Sequence, residues 1–185
     1  EIVDEFTSLV NPGSGIPNWI NKLTGISNYD INGAPYFDEI AIKLHAFVGD
    51  SLFVAHNVLF DYSFIKRQLK DSGLDFNPKL FCTVRLSRSL YKHFKGHSLE
   101  KIIRRHKIKV SNRHRAYDDA LAMYKFILIA EKEFGQDAIM ENILYQTKTK
   151  SLPPNVKADI LKTLPSGPGV YIFEDDAGTP LYVGK

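Results

Sequence analysis

Val54-Ala-His-Asn-Val-Leu-Phe-Asp61 and Asn112-Arg-His-Arg-Ala-Tyr-Asp-Asp119 are the two stretches that decide how this chain is read. The first begins as a short apolar run and passes through His56-Asn57 into helical spacing at Phe60, Phe64, Ile65 and Leu69. The second opens the most regular helical pattern in the chain. It runs from Ala116 to about Phe134, with Tyr117, Ala120, Leu121, Tyr124, Ile127 and Leu128 on one face. Each stretch therefore sets a carboxylate in the first turn of a helix, where the helix dipole favours it and where sites tend to open. Taken singly, such an aspartate most often reads as a helix cap only. The second stretch adds His114, five residues before Asp119. Carboxylates with a histidine can hold hard divalent cations and activate a water, so the pair suggests metal-dependent phosphodiester hydrolysis.

Working outward, strand and helix signals alternate, which predicts an α/β sheet with helices packed against it. Residues 1–10 read as a strand closed by Asn11-Pro-Gly-Ser-Gly15. Pro17 opens a short helix that Gly25 stops. A longer helix starts near Pro35, with Phe37, Ile40, Ala41, Leu44, Phe47 and Val48 as its apolar face, and ends at Gly49-Asp50. Ser51 to Ala55 has the length of a central, buried strand. The helix from Phe60 stops at Gly73, another spans Thr83 to Tyr91, and Ser98 caps one reaching Arg105.

The bulk composition limits the function classes. An apolar fraction of 44% with 24% charged residues is that of an ordinary globular protein. No run of eighteen apolar residues and no secretory pattern is present, so neither a membrane span nor a membrane partner is expected. The single cysteine, Cys82, lies in the apolar run Leu80-Phe-Cys-Thr-Val84. It reads as a buried structural thiol in a reducing, cytoplasmic compartment. Net charge is only +3, yet residues 85–115 hold eleven Lys/Arg against one acid, Glu100. Such a run is either a solvated helical face or a surface for a polyanionic backbone, and its approach to His114 and Asp119 favours nucleic acid.

In combination the motifs resemble the DnaQ-like DEDDh exonucleases, the family of the DNA polymerase III epsilon subunit. The resemblance spans residues 1–134. It runs through Leu9-Val-Asn-Pro12, Ile16-Pro17, Leu23-Thr-Gly-Ile26, Ala34-Pro35, Val54-Ala-His-Asn57 with Phe60-Asp61, and His114-Arg-Ala-Tyr-Asp-Asp119. It implies a ribonuclease H-like fold, a mixed sheet flanked by helices, with its N-terminal strands missing from these residues. It also implies removal of nucleotides from 3′ ends with two Mg²⁺ or Mn²⁺ ions. Asp61 and Asp119 match metal ligands of the family, and His114 matches its general base. Asp118 is the other candidate ligand, but the five-residue offset from His114 selects Asp119. Leu23, Thr24, Gly25 and Ile26 match the segment that lies along the terminal nucleotide, with a helix-end glycine among core apolar residues as the alternative. His56, Asn57 and Phe60 complete the substrate-facing set. The family's leading Asp-x-Glu has no counterpart here, since Glu1, Asp4 and Glu5 match a later strand. Both chain ends read as cut, and the resemblance therefore implies little or no turnover by these residues alone.

Beyond Gly135 the character changes, and residues 135–155, with Pro153-Pro154, read as a linker. Val170 to Phe173 and Leu181 to Val183 read as two strands of a hairpin, turning through Asp175-Asp-Ala-Gly178. As structure, Tyr171 and Tyr182 on adjacent strands are cross-strand packing. With Leu164-Pro-Ser-Gly-Pro-Gly169 before them, Gly169, Tyr171, Tyr182 and Gly184 resemble the opening of a GIY-YIG endonuclease domain of the UvrC and Cho type, covering residues 156–185.

These resemblances imply a DNA 3′–5′ exonuclease of repair or replication, acting on single-stranded 3′ ends in the bacterial cytoplasm or nucleoid. An exoribonuclease of the same fold and a non-catalytic nucleic-acid-binding module are the alternatives.

Overall fold

The computed structural model describes residues 1–111, 115–148, 160–165, 167–175 and 177–184. The chain divides into two compact units, Glu1–Thr149 and Lys150–Lys185.

In the first unit, Pro17 caps α1 (Asn18–Thr24), and Gly25 ends it in the left-handed region at φ 68°. The short α2 (Asn28–Asn32) opens with a capping box between Ser27 and Asp30. The longer α3 (Phe37–Val48) is capped by Glu39, whose carboxylate accepts from the Tyr36 N–H at 2.7 Å, and stops at Gly49. Two parallel strands follow, β1 (Phe53–Ala55) and β2 (Leu80–Cys82), pairing Phe53 with Leu80, Val54 with Phe81 and Ala55 with Cys82. Parallel strands need a crossover, and α4 (Val58–Asp71) supplies it. After β2 come α5 (Thr83–Leu90), α6 (Leu99–Arg105), α7 (Ala116–Phe134) and α8 (Gln136–Lys148).

The period-two alternation of β1 splits the core. Phe53 packs with Ala41, Leu69 and Phe76 beneath α3 and α4. Val54 packs with Phe81, Leu86, Ile102, Phe126 and Ile139, which join β2 to α5, α6, α7 and α8.

Three expectations are corrected. Residues 1–10 form no strand: among the described residues no neighbouring chain offers them a ladder, and a strand exists only as a paired element. They are tied down by side chains instead, with Phe6 stacked on Phe47 at 5.7 Å and the Tyr117 hydroxyl donating to Glu5 at 2.9 Å. The 51–55 strand is not central: β2 is its sole described partner, and of its residues Ala55 alone is buried. Among the described residues of the first unit, the sheet is reduced to this one parallel pair. The linker reading of 135–155 fails over Gln136–Lys148, which is α8. Its polar residues are the outer face of an amphipathic helix whose Ile139 and Gln146 are buried. Residues 149–159 lie outside the described residues.

At the edge of the α5–α7 core lies a partly buried polar network. Tyr91 donates to Glu133 at 2.6 Å, and His106 Nδ1 lies 3.9 Å from the same carboxylate. The ring of His106 packs edge-on against Tyr91 and beside Phe126. Burial pushes the His106 imidazole below its ordinary value, against the pull of Glu133, and burial together with Arg105, Arg88 and Lys101 does the same to His97. A histidine depressed in the folded state binds fewer protons than in the unfolded chain as pH falls below about 6.5. Its contribution to stability is therefore complete above that pH and is lost as pH falls toward the folded value. The melting temperature is expected to drop between about pH 7 and pH 5. Replacing His106 with Phe should flatten that drop in a pH series of thermal melts; an unchanged slope would count against the assignment.

The second unit contains α9 (Ile160–Thr163) and the antiparallel pair β3 (Tyr171–Glu174) and β4 (Pro180–Gly184). The hairpin expectation holds, with an irregularity between Phe173 and Glu174. Asp175 accepts from the backbone N–H groups of Ala177 and Thr179 at 2.9 and 2.8 Å, which holds its carboxyl below the ordinary range. Tyr171 faces Gly184 across the pair, and its ring lies where a side chain on Gly184 would begin.

Candidate active site

Parallel strands send both of their C-terminal ends to the same edge, where α/β folds place ligands. At that edge β1 runs into His56 and Asn57, and β2 into Thr83. Asn57 adopts the left-handed conformation at φ 73°, which asparagine tolerates better than other L-residues, and this sharp turn starts α4. His56 Nδ1 lies 2.9 Å from the hydroxyl of the fully buried Thr83, whose Oγ1 in turn donates to Ala55 O at 3.4 Å. The imidazole is thereby fixed between the two strand ends. Thr83 was not foreseen from the sequence. A threonine opening a helix straight after a strand is the available signal, but nothing in the linear order pairs it with His56.

Asp61 lies in the first turn of α4, as expected. Desolvation raises its carboxyl above the ordinary value, opposed by its own backbone hydrogen bond. A half-buried carboxylate in that state is one that a nearby cation would relieve. Phe60, beside it, is 62% exposed and stacks on the 59% exposed Phe64 at 5.0 Å. Asp118 and Asp119 both occupy the first turn of α7, where the Asp119 N–H closes onto Arg115 O at 3.0 Å. His114 lies outside the described residues. Among the described residues no three His, Cys, Asp or Glu side chains converge to hold an ion. The oxygen donors of Asp61 and Asp119 suit Mg²⁺ or Mn²⁺ in kind.

The 23–26 segment is a turn at the end of α1. Thr24 Oγ1 donates to Ile20 O and accepts from Ile26 N–H, and Asn21 Nδ2 donates to Ile26 O at 2.8 Å. Leu23 is left 47% exposed, which does not fit the alternative of a purely core role. Among the described residues no hydrogen bond links this turn to Phe60 or Asp61.

The sequence profile of the exonuclease family (RNase_T) matches residues 1–127, a span that contains Asp61 and Asp119. The chain belongs to this exonuclease family. Three relatives illustrate the range of proteins that carry the domain. A DNA polymerase III of the PolC type from Clostridium perfringens is 36% identical over 160 residues, 83% of this chain and 11% of its own length. A protein of Mycobacterium tuberculosis, named as a candidate bifunctional exonuclease/endonuclease, is 32% identical over 192 residues, 99% of this chain and 29% of its own. The 3′–5′ exonuclease DinG of Staphylococcus aureus is 33% identical over 135 residues, 72% of this chain and 15% of its own. The chain thus spans under a third of the length of these relatives. Among solved structures, exonuclease X in complex with 5′ overhanging duplex DNA matches with a TM-score of 0.61 and 22% identity. That match covers 80% of this chain and 83% of the other. At that identity it establishes the exonuclease fold, ribonuclease H-like, and no more. The second unit lies beyond the family match.

Proposed function

We propose that the exonuclease unit acts in a 3′–5′ exonuclease of the DEDDh type that removes nucleoside 5′-monophosphates from DNA 3′ ends. The observation that carries this reading is Asp61: a desolvated carboxylate in the first helical turn beyond the C-terminal end of a parallel strand, inside the segment matched by the exonuclease family.

In this reading Asp61 and Asp119 would hold two divalent cations, Mg²⁺ or Mn²⁺, with further carboxylates supplied by an Asp-x-Glu pair that residues 1–60 do not contain. When bound, the ions would polarise the scissile phosphodiester and lower the pKa of the attacking water. His114 takes the proton from that water, a task suited to an imidazole of ordinary pKa about 6.5. The exposed rings of Phe60 and Phe64 offer a stacking face to unpaired bases. The Leu23-Thr-Gly-Ile26 turn lies along the terminal nucleotide. DNA is preferred over RNA because the named relatives include a DNA polymerase and the fold neighbour was solved with DNA. The proposal extends to a role in repair or replication in the reducing bacterial cytoplasm, supported by a DNA polymerase among the relatives and by the single, buried cysteine.

For the hairpin, the second part of the proposal is the opening of a GIY-YIG endonuclease domain. It is supported by a relative named for both nuclease activities that aligns with nearly the whole chain. The Tyr171–Tyr182 contact, with ring centroids 5.9 Å apart, places two phenols on one face.

The test is release of label from matched 3′-labelled DNA and RNA single strands by the full-length protein with Mn²⁺, compared with its His114→Ala variant. Release from DNA should fall by about 10²–10⁴-fold in the variant, the usual contribution of a general base. Equal or faster release from RNA would give the activity to the exoribonuclease reading. No effect of the substitution would favour a binding module.

A further inference from the structure

The fold gathers half of the 85–115 cations at one corner of the first unit, where α5, the 91–98 turn and α6 meet. Arg88 lies in the last turn of α5, Lys92 and Lys95 in the turn, and Lys101 and Arg104 on α6; all five are exposed. The corner is braced from inside. Arg105 donates to Gly96 O at 2.9 Å, and its guanidinium lies 3.9 Å from the centre of the Phe94 ring, which in turn packs on His93 at 4.3 Å. Ser87 Oγ and His97 Nδ1 lie 2.8 Å apart, and Ser98 caps α6. Gly96, at φ 86°, lies directly under the Lys101 side chain, so that even a methyl group there would displace it.

Among the described residues no carboxylate lies within ion-pair distance of Arg88, Lys92, Lys95, Lys101 or Arg104. Their field is felt locally, since Arg105, Arg88 and Lys101 all depress the His97 imidazole in addition to its burial. A merely solvated surface mixes charges of both signs. A rigid corner that collects five exposed cations from α5, the turn and α6 against the single acid Glu100 is held against its own repulsion, and a polyanion removes that repulsion.

We propose that this corner grips the sugar–phosphate backbone of a nucleic-acid strand, as a binding surface built from residues other than Asp61 and Asp119. The proposal rests on the nuclease reading for the identity of the polyanion. Its energy comes from counterion release, so it acts without regard to sequence and weakens steeply with salt. It would hold an oligonucleotide, whereas a mononucleotide, with a single phosphate, could engage little of it.

The experiment measures binding of a fluorescent single-stranded oligothymidylate of about twelve nucleotides to the 185-residue chain, in EDTA, across a salt series. The triple variant Lys92→Gln/Lys95→Gln/Lys101→Gln is compared with a control triple at exposed lysines elsewhere, Lys70→Gln/Lys132→Gln/Lys148→Gln. At about 0.7 counterions per cation, the corner triple should bind about a hundredfold more weakly at about 0.1 M salt, with a salt slope shallower by about 2. The control triple should stay within about threefold. The double variant Arg88→Gln/Arg104→Gln repeats the test should the first triple melt early. Equal losses in corner and control sets, or an unchanged corner variant, would overturn the proposal. So would equal competition by a polyglutamate peptide of matched charge. A Mn²⁺-induced melting shift of the full-length protein, retained when the same corner triple is made in it, separates the two sites. Its absence from the full-length wild type, with the corner result intact, would count against the nuclease reading alone.

Discussion

Asp61→Asn is expected to lower turnover at 3′ ends by about a thousandfold or more in the full-length protein, while making the metal-free 185-residue chain more stable. The two effects have one cause. Burial in the first turn of α4 raises the Asp61 carboxyl, so the folded state binds its proton more tightly than the unfolded chain does. The stability linked to that proton is present below the ordinary carboxylate range and is lost as pH rises through the raised value. At neutral pH the ionised Asp61 is therefore a cost to the metal-free fold, which a neutral, isosteric amide removes. A rise of about 1–3 °C in melting temperature is the expected scale for a domain of this size. The same substitution removes an anionic oxygen ligand, so in the full-length protein the rise in melting temperature on adding Mn²⁺ should shrink or vanish. Paired melts with EDTA and with Mn²⁺, together with label release from a 3′-labelled oligonucleotide, measure all three. Activity within tenfold of wild type, or a fall in the metal-free melting temperature, would remove Asp61 from the site.

Where sequence reading succeeded, a local device decided the outcome. Gly25 and Gly49 stop helices whatever surrounds them, and Ser98 caps α6 through its own side chain. The α7 face is long enough for its period to be unambiguous, and Asp61 and Asp119 reached their helix starts because those helices were legible. Residues 1–10 failed for the opposite reason. Their alternation is a property of the segment, whereas a strand is a property of two segments, and no described partner lies beside them. Thr83 escaped notice because its role depends on His56, twenty-seven residues earlier in the chain. The basic run was visible as composition. What composition could not show is that Gly96 and Phe94 fold the run back on itself, bringing Lys101 and Arg105 against the turn that carries Lys92 and Lys95.

A chain ending at Phe134, where helical periodicity first breaks, should lose cooperative folding, whereas one ending at Lys148 should retain it. The difference lies in α8. Ile139 is buried in the main core, with Ile143 packed against it. Gln146, 5% exposed, meets the edge of β2 that β1 leaves open: Cys82 N–H donates to Gln146 Oε1 at 2.9 Å, and Gln146 Nε2 donates to Cys82 O at 3.4 Å. The side-chain amide thus stands where the backbone of a third strand would. Removing α8 exposes Ile139, at about 1.5–3 kcal/mol. It also strands two backbone groups of a strand in the core, at about 1–3 kcal/mol for each group that stays buried. A domain holds about 5–15 kcal/mol in all, so the sum reaches its lower end. Gln146→Ala alone should cost about 1–3 kcal/mol, because water can reach part of the exposed edge. Urea unfolding followed by circular dichroism orders the three chains: ending at 148, then Gln146→Ala, then ending at 134. If the shortest chain unfolds at the same urea concentration as the one ending at Lys148, α8 adds nothing to the exonuclease unit, and residues 136–148 connect domains after all.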